Sequence, residues 1–149
     1  MQNRRLLASA ILILAFLARA EAQTPSPAPE VVVTPFIVEA GNADALRAVS
    51  QSCFEQFAAA LTRKGVSVAR DPQLSEKNLQ SAAASWAVLG RIGREKEQFQ
   101  LELRLLEVKS GDELRSYFNA DKDLQVACRA VEKVAERIAA FVREQKPSQ

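Results

Sequence analysis

Hydrophobic residues recur along the chain with two different periods, one typical of helices and the other typical of strands. Between residues 43 and 64, and again from about 121 to 144, apolar positions follow the 3.6-residue helical period. Residues 98–105 instead alternate strictly between polar and apolar, as in a strand with one buried face. The helical stripes comprise Leu46, Val49, Cys53, Phe57, Ala60 and Leu61 in the first helix and Leu124, Cys128, Val131, Ala135, Ile138 and Val142 in the last.

Shorter β-branched runs predict the other strands. The first strand spans 31–38 and is interrupted at Pro35, which has no N–H to donate to a neighbouring strand. Three more strands are predicted over 66–68, 86–92 and 114–118. A short, weaker helix is predicted over 75–84. The order β-α-β-α-β-β-β-α corresponds to a mixed sheet of about five strands.

The alternating strand also constrains how the layers stack. Phe99, Leu101, Leu103 and Leu105 point to one face of the sheet, and Gln98, Gln100, Glu102 and Arg104 point to the other. If the polar side is largely exposed to solvent, both long helices pack on the apolar side. The sequence therefore predicts a two-layer α/β sandwich with the two long helices on one face.

Glycine and polar residues mark the local boundaries. Gly65 is expected to end the first helix, and either Asp121 or Asn119 to cap the last. Gly90 and Gly93 lie within or next to a predicted strand, where glycine marks a bulge or the close approach of a neighbour.

Residues 1–22 have the three parts of an export signal. Arg4 and Arg5 form the basic region, residues 6–18 are apolar, and Ala20-Glu21-Ala22 places small residues before a cleavage point. The apolar run is shorter than the about 20 residues of a bilayer span, so we expect cleavage near Ala22. No stable membrane span then remains, and retention as an anchor is the alternative. The Pro-rich residues 23–29 are predicted to be a linker, 30–145 the domain and 146–149 a tail.

Charge argues against one class of partner. The whole chain carries a formal +2, but the leader contains three of its 20 basic residues and one of its 18 acidic residues. The mature chain is therefore formally neutral and has no concentrated basic patch. Nucleic-acid binding, which needs such a patch, is not expected.

Cys53 and Cys128 are the only cysteines, and each lies on the apolar stripe of a long helix. In an exported protein an even number of cysteines favours a disulfide. We expect the two residues to bond to each other and to join the helices. The alternative is a pair of separate buried thiols, because free cysteine behaves as a small hydrophobic residue.

The residue types favour a role without catalysis. The chain has no histidine, which removes the usual general base near neutral pH and the commonest metal ligand. Its glycines form no phosphate-binding or dinucleotide-binding motif. We therefore predict no catalytic, cofactor-binding or metal site. A carboxylate pair drawn from Glu102, Glu107, Asp112 and Glu113 is the alternative, although such residues commonly lie on solvated sheet faces and turns.

Several segments resemble the TolB amino-terminal-domain-like family of envelope proteins. Val31-Val32-Val33-Thr34-Pro35-Phe36 is similar to the family's opening strand, and Trp86-Ala87-Val88-Leu89-Gly90 to an inner strand ending in glycine. Gly65-Val66 follows the first helix as in the family, and residues 103–114 are similar to its hairpin around a Ser-Gly turn. The likeness covers about 30–143. It implies a non-enzymatic domain in envelope assemblies, but transfers no binding residue.

These observations predict a periplasmic or secreted interaction module that docks on an envelope protein. The alternatives are a carboxylate-dependent hydrolase or small-ligand binder, and a homo-oligomeric assembly subunit whose chains pair through a sheet edge. The sequence does not specify the oligomeric state. The expected contact surface, for which a bare solvated face is the alternative, consists of Gln98, Gln100, Glu102, Arg104, Arg115 and Tyr117.

Overall fold

Pro35 divides the first predicted strand into two short strands that both pair in parallel with the same neighbour. A computed structural model describes residues 26–39 and 43–146, and the predicted leader and most of the linker lie outside these ranges. The elements are β1 (Val31–Val33), β2 (Ile37–Val38), α1 (Ala43–Arg63), β3 (Val68–Arg70), a 3₁₀ helix (Glu76–Ser81), β4 (Trp86–Glu95), β5 (Gln98–Glu107), β6 (Glu113–Asp121) and α2 (Leu124–Gln145).

The strands form one mixed six-stranded sheet in the order β3-β1-β4-β5-β6, with β2 beside β4. β1 pairs in parallel with β3 and β4, and β2 pairs in parallel with β4. β4, β5 and β6 form an antiparallel meander. The structure confirms the α/β sandwich, and the sixth strand arises from the break at Pro35.

Both long helices cover the same face of the sheet, as predicted. Their apolar stripes and the inward side chains of the sheet form the main core. The disulfide between Cys53 and Cys128 joins α1 to α2, and the two Cα atoms lie 5.5 Å apart. The prediction that these cysteines bond to each other is confirmed.

The opposite face is only partly exposed, which corrects the expectation that it is largely exposed to solvent. Leu74 precedes the 3₁₀ helix and Leu79 lies in it. These two residues form a second small core with Val32, Ala87 and Leu106. Leu106 follows the alternating run and is an apolar residue on the polar side of β5. The sheet can therefore bury apolar surface on this side where β1, β4 and β5 meet.

Two of the predicted elements differ in position or type. The strand expected at 66–68 is Val68–Arg70, because the Val66 N–H donates to the Leu61 carbonyl and continues the helix end. Gly65, at φ +83°, ends α1 as predicted. The helix expected over 75–84 is the shorter 3₁₀ helix, which is interrupted at Asn78 with φ −121°.

The N-cap of α2 is Asp123, so the prediction of Asp121 or Asn119 was wrong. The Asp123 carboxylate accepts a hydrogen bond from the Gln125 N–H at 2.8 Å. Asp121 is the last residue of β6, and Asn119 donates its side-chain amide to the Ala127 carbonyl. The strand is longer than predicted and shifts the start of the helix. In the described ranges, every helix is too short or too polar to cross a bilayer.

Candidate interaction surfaces

One row of four side chains crosses the uncovered part of the sheet. The open face is the sheet surface opposite α1 and α2 that the segment 71–85 leaves exposed. The strand pairings place Ile37 beside Arg91, Arg91 beside Glu102 and Glu102 beside Phe118. Directly opposed residues share a face of the sheet, so all four side chains lie on the open face.

The two ends of this row are exposed and apolar. Ile37 is 63% exposed and Phe118 is 64% exposed, and with Val126 on α2 they are the exposed large hydrophobic residues of the described chain. β2 and β6, which carry Ile37 and Phe118, flank the two central strands of the row. The open face therefore presents two separated apolar contacts.

The charged groups between and beside these ends are paired. Arg91 contacts Glu102 at 2.6 Å and Glu39 at 3.4 Å. Arg104 pairs with Glu113 at 2.6 Å and with Glu76 of the 3₁₀ helix. The hydrogen bond that Arg91 donates to Glu102 raises the pKa of Arg91 above its ordinary value, and the one that Arg104 donates to Glu113 does the same for the pKa of Arg104. The predicted surface residues Glu102 and Arg104 are thus held in fixed positions by charge-assisted hydrogen bonds.

The structure does not bring the six predicted surface residues together. Gln98, Gln100, Glu102 and Arg104 lie on the open face, and the Gln100 side chain donates to Glu95 at 2.7 Å. Arg115 and Tyr117 lie on the helix side, because Arg115 opposes Leu105 and Tyr117 opposes Leu103. The register shift between Leu105 and Leu106 sets which β6 residues face α2, and the periodicity of β5 alone does not reveal it.

Tyr117 instead belongs to a groove between β6 and α2. The edge groove has a volume of about 230 Å³, and its walls include Tyr117, Ala130, Lys133, Val134 and Arg137. Burial raises the pKa of Tyr117, while the nearby positive charges of Arg115 and Arg137 oppose that rise. Lys133 and Arg137 lie four residues apart on α2, a spacing that in the sequence is typical of a solvated helix face. The sequence therefore did not predict that they line a groove.

A second groove, of about 540 Å³, runs between the outer sides of α1 and α2. Its two carboxylates are paired across the helices, Glu132 with Arg63 at 3.0 Å and Glu136 with Lys64 at 3.4 Å. The alternative of a carboxylate acid/base pair gains no support from this groove, because both groups are already neutralised by cations. These ion pairs bridge the same helices as the disulfide.

Three of the four carboxylates considered from the sequence also have local partners. Glu102 and Glu113 pair with arginines, and Glu107 accepts a hydrogen bond from the Ser110 hydroxyl at 2.5 Å. Within residues 26–39 and 43–146, no three cysteine or acidic side chains are grouped to hold a metal ion.

No family model matches the chain, and no curated protein matches it. A solved structure of the PelC dodecamer from Paraburkholderia phytofirmans is similar at 18% identity and a TM-score of 0.54, over 72% of this chain and 84% of that chain. A point variant of the same PelC is similar with a TM-score of 0.57 at 18% identity, over 76% of this chain and 89% of that chain. The comparison with TolB from Acinetobacter baumannii gives a TM-score of 0.47 at 19% identity, over 78% of this chain and 29% of that chain.

The TolB-like resemblance seen in the sequence therefore stays a prediction. At 18% identity the similarity to PelC concerns the fold alone. The chain shares its α/β architecture with PelC.

Proposed function

We propose that this chain is an exported, non-enzymatic interaction module of the cell envelope, which docks through its open face on a periplasmic or outer-membrane protein. The observation that carries the proposal is the exposure of Ile37 and Phe118 at the two ends of one row. Apolar side chains of this size can act as anchors that fill pockets on a partner surface.

The paired charges of the row support the same use. A partner that covers Arg91 and Glu102 buries an ion pair whose members already neutralise each other, and so leaves no isolated charge in the interface. Gln98 and Gln100 add amide groups that can hydrogen-bond to a partner. The open face thus offers a partner both apolar side chains and hydrogen-bonding groups.

The disulfide supports the location. Disulfides persist in oxidising compartments such as the periplasm and the extracellular space. Cys53 and Cys128 form such a bond between the two long helices. Together with the predicted leader, this bond favours export.

Crosslinking in intact cells of the source tests the proposal. The tagged wild-type protein is compared with the double variant Ile37→Thr/Phe118→Thr, and Val126→Thr on α2 serves as the matched control for the loss of an exposed apolar side chain. We expect a reproducible envelope partner with the wild type and the control, and its loss with the double variant. Equal yields of that partner with all three proteins would contradict docking through the open face.

A homo-oligomeric assembly subunit is the second candidate. The observation that favours it is the shared fold with PelC, whose solved structures are described as dodecamers. Light scattering coupled to size-exclusion chromatography measures the mass in solution. One mature chain has a mass of 16.4 kDa less that of the leader. A measured mass of two or more such chains supports this candidate, and a monomer at about tens of micromolar contradicts it.

A further inference from the structure

The outer edge of β6 has backbone groups directed away from the sheet. β6 is the last strand of the sheet, and no strand of the described chain lies beyond it. Strand edges of this kind can accept a further strand from another chain. The edge is nine residues long, from Glu113 to Asp121.

The hydrogen-bond pattern identifies which groups point outward. The Val108 N–H, just beyond β5, donates to the Ser85 carbonyl on the β4 side, whereas the Glu107 N–H donates to the Asp112 carbonyl on the β6 side. Because these directions alternate along a strand, the backbone N–H and carbonyl groups of Leu103 and Leu105 hydrogen-bond towards β6. Their opposed residues bond back to β5, so the backbone groups that point outward belong to Ser116, Phe118 and Ala120.

The side of this edge that faces α2 carries three cations, with the Asp121 carboxylate at the end of β6. Arg115 stacks over the Phe141 ring at 5.4 Å, and Lys133 and Arg137 line the edge groove. Within the described residues, none of these three cations has a carboxylate within ion-pair distance. Arg91 and Arg104 of the open face are, in contrast, paired with carboxylates, so the three cations at the edge are the ones available to a ligand.

We propose that the β6 edge binds an extended acidic segment of a partner protein as an additional antiparallel strand. Alternate side chains of the segment then fall on opposite faces of the sheet. Acidic side chains on the α2 side meet Arg115, Lys133 and Arg137, and apolar side chains on the other side lie next to Phe118. The groove of about 230 Å³ accommodates the side chains on the α2 side.

Charge selects this occupant over a second copy of the chain. In a two-fold pairing of β6 with itself, Lys133 and Arg137 of each copy would approach the same cations of the other, because α2 packs over β5 and β6. Such like-charge contacts are unfavourable. An acidic strand instead neutralises three unpaired cations.

This inference rests on the proposed function in one respect, that the chain docks on another protein. It concerns the edge of β6 rather than the open face, although Phe118 belongs to both, and its test uses purified protein, synthetic peptides and variants of α2 that leave Phe118 unchanged. Failure of peptide binding would overturn the edge proposal alone, whereas unchanged crosslinking of the open-face variant would overturn the docking surface proposed above.

Fluorescence anisotropy with labelled peptides is the first measurement. The probe is a nine-residue peptide that alternates Glu with Val and ends in Thr, and the two controls carry Gln or Lys in place of Glu. We expect the Glu peptide to bind at least about tenfold more tightly than the Gln peptide, binding of the Lys peptide to be undetectable, and the Glu affinity to fall as salt is added. Equal affinity for the three peptides would overturn the proposal.

Matched charge variants and hydrogen exchange locate the binding. Lys133→Glu/Arg137→Glu should weaken binding of the Glu peptide about tenfold or more, while Lys77→Glu/Lys109→Glu, with the same change in net charge, should leave it within about twofold. The bound peptide should slow amide exchange at Ser116, Phe118 and Ala120. Equal loss with both double variants, protection confined to other strands, or a β6-paired dimer that the peptide does not dissociate would each contradict the assignment.

Discussion

The ring of Phe36 lies directly over Gly90, on the face of the sheet that the helices cover. A Cβ atom at Gly90 would overlap three carbons of that ring well inside van der Waals contact. The ring also packs edge-on against Phe54, with centroids 5.8 Å apart, so Phe36 cannot move away without disturbing α1. Gly90 is therefore required by the close approach of Phe36, one of the two alternatives that its place in the strand predicted.

Gly90→Ala should lower the free energy of unfolding by about 1–3 kcal/mol, since an added methyl group in a filled core forces its neighbours to shift. Gly93→Ala in the same strand is the matched control, because its Cβ would meet only Glu39 at 4.0 Å. Urea unfolding measures both variants. Comparable stability of the two would contradict the packing argument, and Phe36→Leu combined with Gly90→Ala should recover part of the loss.

Removal of the disulfide with Cys53→Ala/Cys128→Ala should lower the free energy of unfolding by about 2–4 kcal/mol, because the bond closes a long loop in the unfolded chain. The two residues are 75 positions apart. Urea unfolding of the wild type with and without reductant should reproduce the difference, and the double variant should not respond to reductant. Detection of two free thiols in the unfolded, unreduced wild type would contradict the bond.

Asp123→Ala should destabilise the protein by about 1 kcal/mol, because the Gln125 N–H at the start of α2 loses its acceptor. Lys122→Ala, at the preceding exposed position, is the control and should stay within about 0.5 kcal/mol of the wild type. Thermal unfolding followed by far-ultraviolet circular dichroism compares the two. Equal effects of the two substitutions on stability would contradict the assignment of Asp123 as the N-cap of α2.

Glu30 should make the stability depend on pH. Burial acts to raise the pKa of Glu30, but the hydrogen bonds from Lys146 and the Ser67 N–H, with the charge of Lys146, lower it below its ordinary value of 4.5. A lowered folded-state pKa contributes stability above the unfolded value, and that contribution is lost as the pH falls below 4.5 through the folded value. Unfolding free energies of the wild type and Glu30→Gln should therefore differ at pH 7 and converge towards pH 3.

Glu97→Gln, in the exposed turn between β4 and β5, is the control for the same change in charge. Its difference from the wild type should remain small at both pH values. A difference between the wild type and Glu30→Gln that grew as the pH fell would have the opposite sign from the one expected and would contradict the linkage.

The architecture was predictable because its strongest determinants are periodic. The apolar stripes of α1 and α2 specify which helix faces are buried, and they place Cys53 and Cys128 on those faces. The alternation in β5 correctly identified the side of the sheet that the helices cover. Such patterns depend only on residue type and spacing, so a single sequence contains them.

Features that depend on register or on distant segments were not predictable in the same way. The irregularity at Leu105/Leu106 decides that Arg115 and Tyr117 face α2, and no local pattern in β6 encodes it. The packing of Leu74 and Leu79 on Val32 brings together segments that are distant in sequence. Of the six candidate surface residues, the four on β5 therefore lie together on the open face, whereas Arg115 and Tyr117 lie on the helix side.

The position of the disulfide has a mechanical consequence. The bond between Cys53 and Cys128 encloses β3 to β6 in a covalent loop, whereas β1 lies outside that loop although it sits between β3 and β4 in the sheet. We therefore expect tension applied to the two ends of the chain to act first on β1, β2 and the outer parts of α1 and α2, and it cannot lengthen the enclosed segment while the bond is intact. Under load the meander of β4, β5 and β6 is the part that is shielded from extension.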